Sequence, residues 1–250
     1  MSKFIKSKKD IEKMRESGKI AASILNELRD AAKPGISTKE LDMLAEKLIE
    51  KHKVKPAFKG YDGFPGVVCT SVNDIIVHGI PTDEPLREGD ILGLDFGVIY
   101  KGWYSDTAIT IPIGDISHEA RRLIRVTKKA LRLGIKKAKP GNTTGDIGNT
   151  IQRYVEDEDY KIVKSLVGHG IGKKLHEDPQ VPNWGKRHTG VVLEEGMVIA
   201  IEPMVIGGGS EVVELAPDKF SFKSKSGGLT AHFEHTIAIT AEGPEILTVC

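Results

Sequence analysis

The chain has 250 residues, 39% hydrophobic and 28% charged, with a formal net charge of +1. That balance fits a folded protein with a sizeable core and excludes a broadly basic nucleic-acid binder or a strongly acidic surface. Cys69 and Cys250 are the only cysteines; with no apolar leader and no apolar run of about 18 residues, a cytoplasmic protein that does not span a membrane is expected.

In chain order, a basic segment, MSKFIKSKKD, leads into a charged amphipathic helix that breaks at Lys33-Pro34-Gly35. A second helix opens at once, with Ser37 as its N-cap and Glu40 completing a capping box. Ile36 packs on Leu41 as a staple. Residues 87–98, REGDILGLDFGV, then read as a buried strand carrying Asp95 near its end. Tyr100, Lys101 and Gly102 mark a turn into a second strand with Asp106, in YSDTAITI. The spacing predicts a hairpin with Asp95 and Asp106 opposite one another on one face. A helix follows in which Arg121, Arg125, Lys128, Arg132 and Lys136 recur beside Ile124, Leu131 and Ile135. These cations, with Lys3, Lys6, Lys8 and Lys9, read as a solvated face or a basic surface.

Lys139-Pro140-Gly141 then repeats the earlier break, and Thr143 and Asp146 take the places of Ser37 and Glu40. His169 sits in VGHGIG, where Gly168, Gly170 and Gly172 let the backbone pass close to another group. Residues 194–205, EEGMVIAIEPMV, align without a gap on residues 87–98, and Glu202 falls on Asp95. Residues 206–229 read as an extended hairpin arm with a loop. The returning strand, FEHTIAIT, carries Glu234 in the place of Asp106.

The pattern is therefore an internal duplication, with halves at about 8–112 and 118–240, inside a single domain over 1–250. The fold class is α+β, with helices covering one side of a mainly antiparallel sheet. Taken singly, Asp95 is a turn residue, Glu202 an edge residue before a proline and Glu234 a solvent-facing strand residue. The duplication argues against all three, as do Ile91, Leu92, Leu94 and Phe96 around Asp95. Four carboxylates brought inward are costly unless they are paired or hold a divalent cation. His169 would complete an oxygen-rich site that suits Mn, Fe(II), Co or Zn. His176 and His78 are further candidates; a core histidine is the plain alternative for His78.

As a set, these motifs resemble the methionine aminopeptidases of the M24 family, in the short type I form. The resemblance rests on VVCTSVNDIIVHGIP, LDFGVIYKGWYSDTAIT, GHGIGKKLHEDPQVPN, EEGMVIAIEPM and AHFEHTIAIT. It implies the pita-bread fold and removal of the N-terminal methionine from nascent polypeptides with a small second residue. It also implies two divalent metal ions: Asp106 and Glu234 bridge them, Asp95 holds one, and His169 and Glu202 hold the other. Glu202 would act as general base, His176 would polarise the scissile carbonyl, and His78 would contact the scissile amide. The methionine pocket implied is Tyr61, Phe64, Cys69 and Phe220, with Phe220 where some members carry Trp and Phe64 where some carry Tyr. A monomer is expected, with weak ribosome association and no sequence-specific nucleic-acid binding. The rival readings are a proline-specific aminopeptidase or prolidase-like enzyme, and a non-catalytic pita-bread binding protein.

Overall fold

Ser7 caps the first helix, α1 (Lys8–Ala31), in a computed structural model that describes residues 4–249. Lys3 and Cys250 lie outside the described residues. The first half continues with α2 (Thr38–His52), β1 (Lys55–Pro56), β2 (Cys69–Val72), β3 (Ile75–Val77), β4 (Ile91–Tyr100) and β5 (Trp103–Pro112). The second half opens with α3 (His118–Ile135), α4 (Thr144–Asp157), β6 (Lys161–Ile162), β7 (Gly168–Gly170), β8 (Glu177–Val181) and β9 (Val198–Ile201). It closes with β10 (Met204–Ile206), β11 (Val213–Leu215), β12 (Phe222–Ser224), β13 (Thr230–His232), β14 (Glu234–Thr240) and β15 (Gly243–Ile246).

The repeat in the sequence is a repeat in hydrogen bonding. Both capping boxes form, Ser37 with Glu40 and Thr143 with Asp146. Leu86 N–H donates to the Ile36 carbonyl at 2.8 Å, and Leu193 N–H to the Asn142 carbonyl at 2.7 Å. Isolated bridges join Ser37 to Pro85 and Thr143 to Val192. Each second helix is thus stitched to the approach of its half's acidic strand.

The halves meet in one antiparallel sheet of order β1-β4-β5-β14-β9-β7-β8, with β2 on β4 and β15 on β14. Strand alternation decides the faces. Leu92, Leu94, Phe96 and Val98 of β4 are buried with Leu25, Leu28, Leu41 and Leu48 of α1 and α2. Ile199, Ile201, Ile237 and Ile239 are buried with Leu123, Val126, Ile147 and Ile151 of α3 and α4. Each such side chain contributes about 1.5–3 kcal/mol on leaving water. The helices take one face of the sheet and leave the other to Asp95 and its neighbours.

Two expectations are corrected. Asp95 and Asp106 do not face one another. Tyr100 pairs with Trp103, so Asp95 pairs with Ala108 and Asp106 with Gly97. The cause is a turn of only two residues, Lys101 (φ 49°) and Gly102 (φ 76°), in the left-handed region that tight hairpins use. The aspartates are diagonal neighbours on the same face. Residues 206–229 do contain a hairpin with a loop, but it docks on the first half instead of extending as an arm. β11 and β12 pair, and β12 pairs with β3, placing Phe222 opposite Val77 of the first half.

Candidate metal centre and cavity

Pairing across the sheet sets out the acidic face. Cys69 pairs with Asp95, Asp95 with Ala108, and Ala108 with Glu234, one row over four strands. Directly paired residues point the same way, and Asp106, two residues before Ala108, joins them. Ala108 and Gly97 present little side chain beside the acids, which leaves room for the carboxylates to converge. Asp106 is clamped through its backbone: its N–H donates to Thr236 Oγ1 at 3.1 Å, and Thr236 Oγ1 donates to its carbonyl at 2.8 Å.

His169 arrives on β7, which passes tightly between β8 and β9. A Cβ on Gly168 would lie 2.4 Å from the Ala200 carbonyl oxygen, and one on Gly170 would lie 2.1 Å from that of Asp178. Those glycines are needed for close approach. His169 Nδ1 is 2.9 Å from the Gly170 carbonyl oxygen. A carbonyl only accepts, so Nδ1 carries the proton and Nε2 offers its lone pair to the site. Nε2 lies 3.6 Å from Glu202 Oε1. Glu202 stands just beyond β9, its carbonyl held by Asn183 Nδ2 at 2.9 Å. One ligand atom from each of Asp106, His169 and Glu234 lies within 4.8 Å of the others.

His232 is a member of the site that the sequence reading missed. It is buried, and its Nε2 lies 3.4 Å from Glu202 Oε2. The signal available was its spacing of two from Glu234, which alternation along a strand turns to the same side.

The electrostatics suit a cation. Asp95 Oδ1, Asp106 Oδ1, Glu234 Oε1 and His232 Nε2 are buried without a hydrogen-bond partner. Burial first, then repulsion from Asp106 and Glu202, pushes Asp95 well above the usual carboxylate range. Burial and Glu202 raise Asp106, burial and Asp106 raise Glu234, and burial raises Glu202. Burial holds His169 down at about 3 and His232 at about 4, so both rings are neutral donors of a lone pair. Orphaned oxygens whose negative form is disfavoured until a positive charge arrives fit a divalent cation.

All eleven residues singled out in the sequence line one cavity of about 370 Å³: Tyr61, Phe64, Cys69, His78, Asp95, Asp106, His169, His176, Glu202, Phe220 and Glu234. Phe64 and Cys69 are buried, and the rings of Phe64 and Phe220 meet edge to face at 5.8 Å. Burial raises the Cys69 thiol well above its ordinary pKa, so it lines the wall as a neutral group. Leu166, Leu175 and Met204 extend the apolar lining. His78 and His176 are exposed at the mouth, and His78 is not a core histidine. Its backbone is left-handed, φ 59°. Tyr61 also sits at the mouth rather than in the wall, 39% exposed, with its Oη 2.7 Å from His176 Nδ1. The rings of His176 and His169 lie 4.4 Å apart.

Residues 12–241 match the model of metallopeptidase family M24. The chain is similar to a methionine aminopeptidase of Clostridium acetobutylicum, 49% identical over 99% of each chain. It superposes on the crystal structure of methionine aminopeptidase from Rickettsia prowazekii with a TM-score of 0.96, at 41% identity over 98% of this chain and 99% of that one. The prolidase from Pyrococcus furiosus shares the fold, with a TM-score of 0.79 at 24% identity, and the chain covers 66% of it. Among the described residues no helix is long and apolar enough to cross a membrane. With an oxygen-rich centre at the end of an apolar cavity and these likenesses over nearly its whole length, the chain belongs to metallopeptidase family M24, among the methionine aminopeptidases.

Proposed function

We propose that this cavity removes the N-terminal methionine from polypeptides whose second residue is small. The observation that carries the reading is the junction of an apolar slot with a cluster of buried, unpartnered carboxylates. The slot takes an uncharged thioether side chain against Phe64, Cys69 and Phe220. The acidic cluster lies where the backbone of that residue would stop. Asp95, Asp106, His169, Glu202 and Glu234 would hold two divalent ions; Mn, Fe(II), Co or Zn suit this donor set. When bound, such ions supply positive charge that polarises a carbonyl and acidifies water. Glu202, its carboxylate flanked by His169 and His232, takes up a proton and passes it to the departing amine. His176, held from one side by Tyr61, faces the developing oxyanion. His78, also at the mouth of the cavity, contacts the scissile amide.

The chain acts as one catalytic unit and as a monomer, in the cytoplasm, on nascent chains. Arg125, Lys128 and Arg132 lie exposed on α3 and Lys136 at its C-cap, whereas Arg121 is paired with Asp115 at 2.9 Å. This face supports a weak docking onto the ribosome, whose backbone phosphates attract cations without sequence readout. The test is release of the first residue from Met-Ala-X and Leu-Pro-X peptides of equal length by purified protein supplied with Mn or Co. Methionine should be released, with little leucine. A preference for Leu-Pro-X would move the chain to the proline-specific branch, and no release by metal-loaded protein would make it a binding protein.

A further inference from the structure

Phe220 forms part of the apolar wall, yet it hangs from a loop tip whose neighbours Pro217, Asp218 and Lys219 are exposed. Its ring packs on Phe64 and the neighbouring core, so the exposed turn that carries it must hold the backbone where the ring can reach them. The tip is closed by two backbone bonds, Ala216 N–H to the Ser221 carbonyl at 2.8 Å and Lys219 N–H to the Ala216 carbonyl at 3.0 Å. Lys219 adopts φ 68°, a left-handed conformation that a residue with a Cβ takes only when its surroundings impose it. The Asp218 carboxylate supplies the missing constraint. Its Oδ1 accepts from the N–H groups of both Phe220 and Ser221 at 2.8 Å, and its Oδ2 accepts from Ser221 Oγ at 2.6 Å. Ser221 Oγ also lies 3.3 Å from the carbonyl oxygen of His78. The same turn therefore ties the Phe220 wall to the rim that carries His78.

We propose that Asp218 is a positioning residue for substrate selection: by gathering the Phe220 and Ser221 amides and the Ser221 hydroxyl, it fixes the Phe220 ring against Phe64 and so sets the width of the slot. The inference rests on the reading of the cavity as a methionine pocket. A side chain this exposed, away from the metal centre, has no part in moving protons, so its loss should act on binding. Partial burial raises the carboxyl's pKa, but the bonds from Ser221 and Phe220 outweigh it and hold Asp218 below its ordinary value. It is ionised throughout the working pH range.

The experiment compares wild type, Asp218→Ala, Asp218→Asn, Phe220→Ala and the double variant Asp218→Ala/Phe220→Ala on Met-Ala-X and norleucine-Ala-X peptides, with thermal melting as a check on folding. Asp218→Ala should raise KM for Met-Ala-X about tenfold while kcat changes by less than about threefold. Asp218→Asn keeps an oxygen for the two backbone amides and should recover KM to within about twofold of wild type. The double variant should be no worse than Phe220→Ala alone, because both changes release the same ring. If Phe220→Ala raised KM and Asp218→Ala did not, the inference would be overturned while the pocket stood. If Phe220→Ala left KM unchanged, the pocket reading would fail and take the inference with it. A fall in kcat at constant KM, or an Asp218→Asn variant as impaired as Asp218→Ala, would also overturn it.

Discussion

Between its paired acidic strands the first half turns in two residues, Lys101 and Gly102, whereas the second half places residues 202–233 between β9 and β14. On either side of this difference the halves keep the same helix caps, the same backbone stitching and one carboxylate in or just beyond each strand. The cation-fitting acids therefore come from what is duplicated. Phe220, His232 and the hairpin that docks on β3 come from what is not. Closing a longer loop costs only about 0.6 kcal/mol per doubling of its length, so a duplicated scaffold can accept such an insertion without losing its register. The lesson is a division of labour: the duplicated strands supply the four acids, and the insertion adds one wall of the slot, Phe220, and one neighbour of Glu202, His232.

Three experiments break or sharpen that division. The largest effect belongs to the symmetric part. Glu202→Gln keeps the shape but removes the proton acceptor, and kcat for Met-Ala-X should fall by about two to four orders of magnitude with the fold intact. A variant at near wild-type rate would place the base elsewhere.

The next effect is on stability without metal. Asp95, Asp106, Glu202 and Glu234 have folded-state pKa values raised by burial above those of the unfolded chain. The stability linked to their protonation is full below the unfolded values near pH 4 and is lost as pH rises through the folded ones, about 7 for Asp106 and about 8 for Glu202. Buried His169 and His232, held down at about 3 and about 4, pull the other way below the unfolded histidine value near 6.5, so chelator-treated protein should melt at progressively lower temperature from pH 7 to pH 9. Each unit of displacement is worth about 1.4 kcal/mol. Added Mn should raise the melting temperature most at the alkaline end. A metal-free protein whose Tm climbs over that interval would contradict the raised carboxylates.

The smallest effect compares like with like. Ser37→Ala and Thr143→Ala each remove an N-cap from equivalent helices and should each cost about 1 kcal/mol in chemical denaturation. A large inequality would show that the halves do not share the load that their hydrogen bonding implies.

How much of this was legible in the sequence depends on how local the cause was. The caps were legible because a capping box is written in four adjacent residues. The convergence of Asp95, Asp106, Glu202 and Glu234 was legible because the two strand pairs repeat. The diagonal offset of Asp95 and Asp106 was not. It hangs on Lys101 taking a positive φ, which a lysine does not announce, and a turn one residue longer would alter the whole pairing. His232 was overlooked because the chain leaves β13 and enters β14 at Phe233, so the alternation that places it beside Glu234 spans a break. The docking of β12 on β3 joins residues such as Phe222 and Val77, which carry no mutual mark. That Tyr61 and His78 line the cavity from its mouth was not legible either, since exposure is settled by elements far away in the chain.

The central position of β14 also sets a timetable. It lies between β5 and β9, and its pairing with Ala108 and Thr107 joins segments more than half the chain apart. Contacts of such long sequence separation form late, because the intervening chain must first be drawn together. A copy still emerging from the ribosome would already carry Asp95, Asp106, His169 and Glu202, yet the strand that clamps Asp106 through Thr236 and brings Glu234 would be missing. Glu234 and the clamp on Asp106 thus reach the acidic face only when β14 slots into the middle of the sheet.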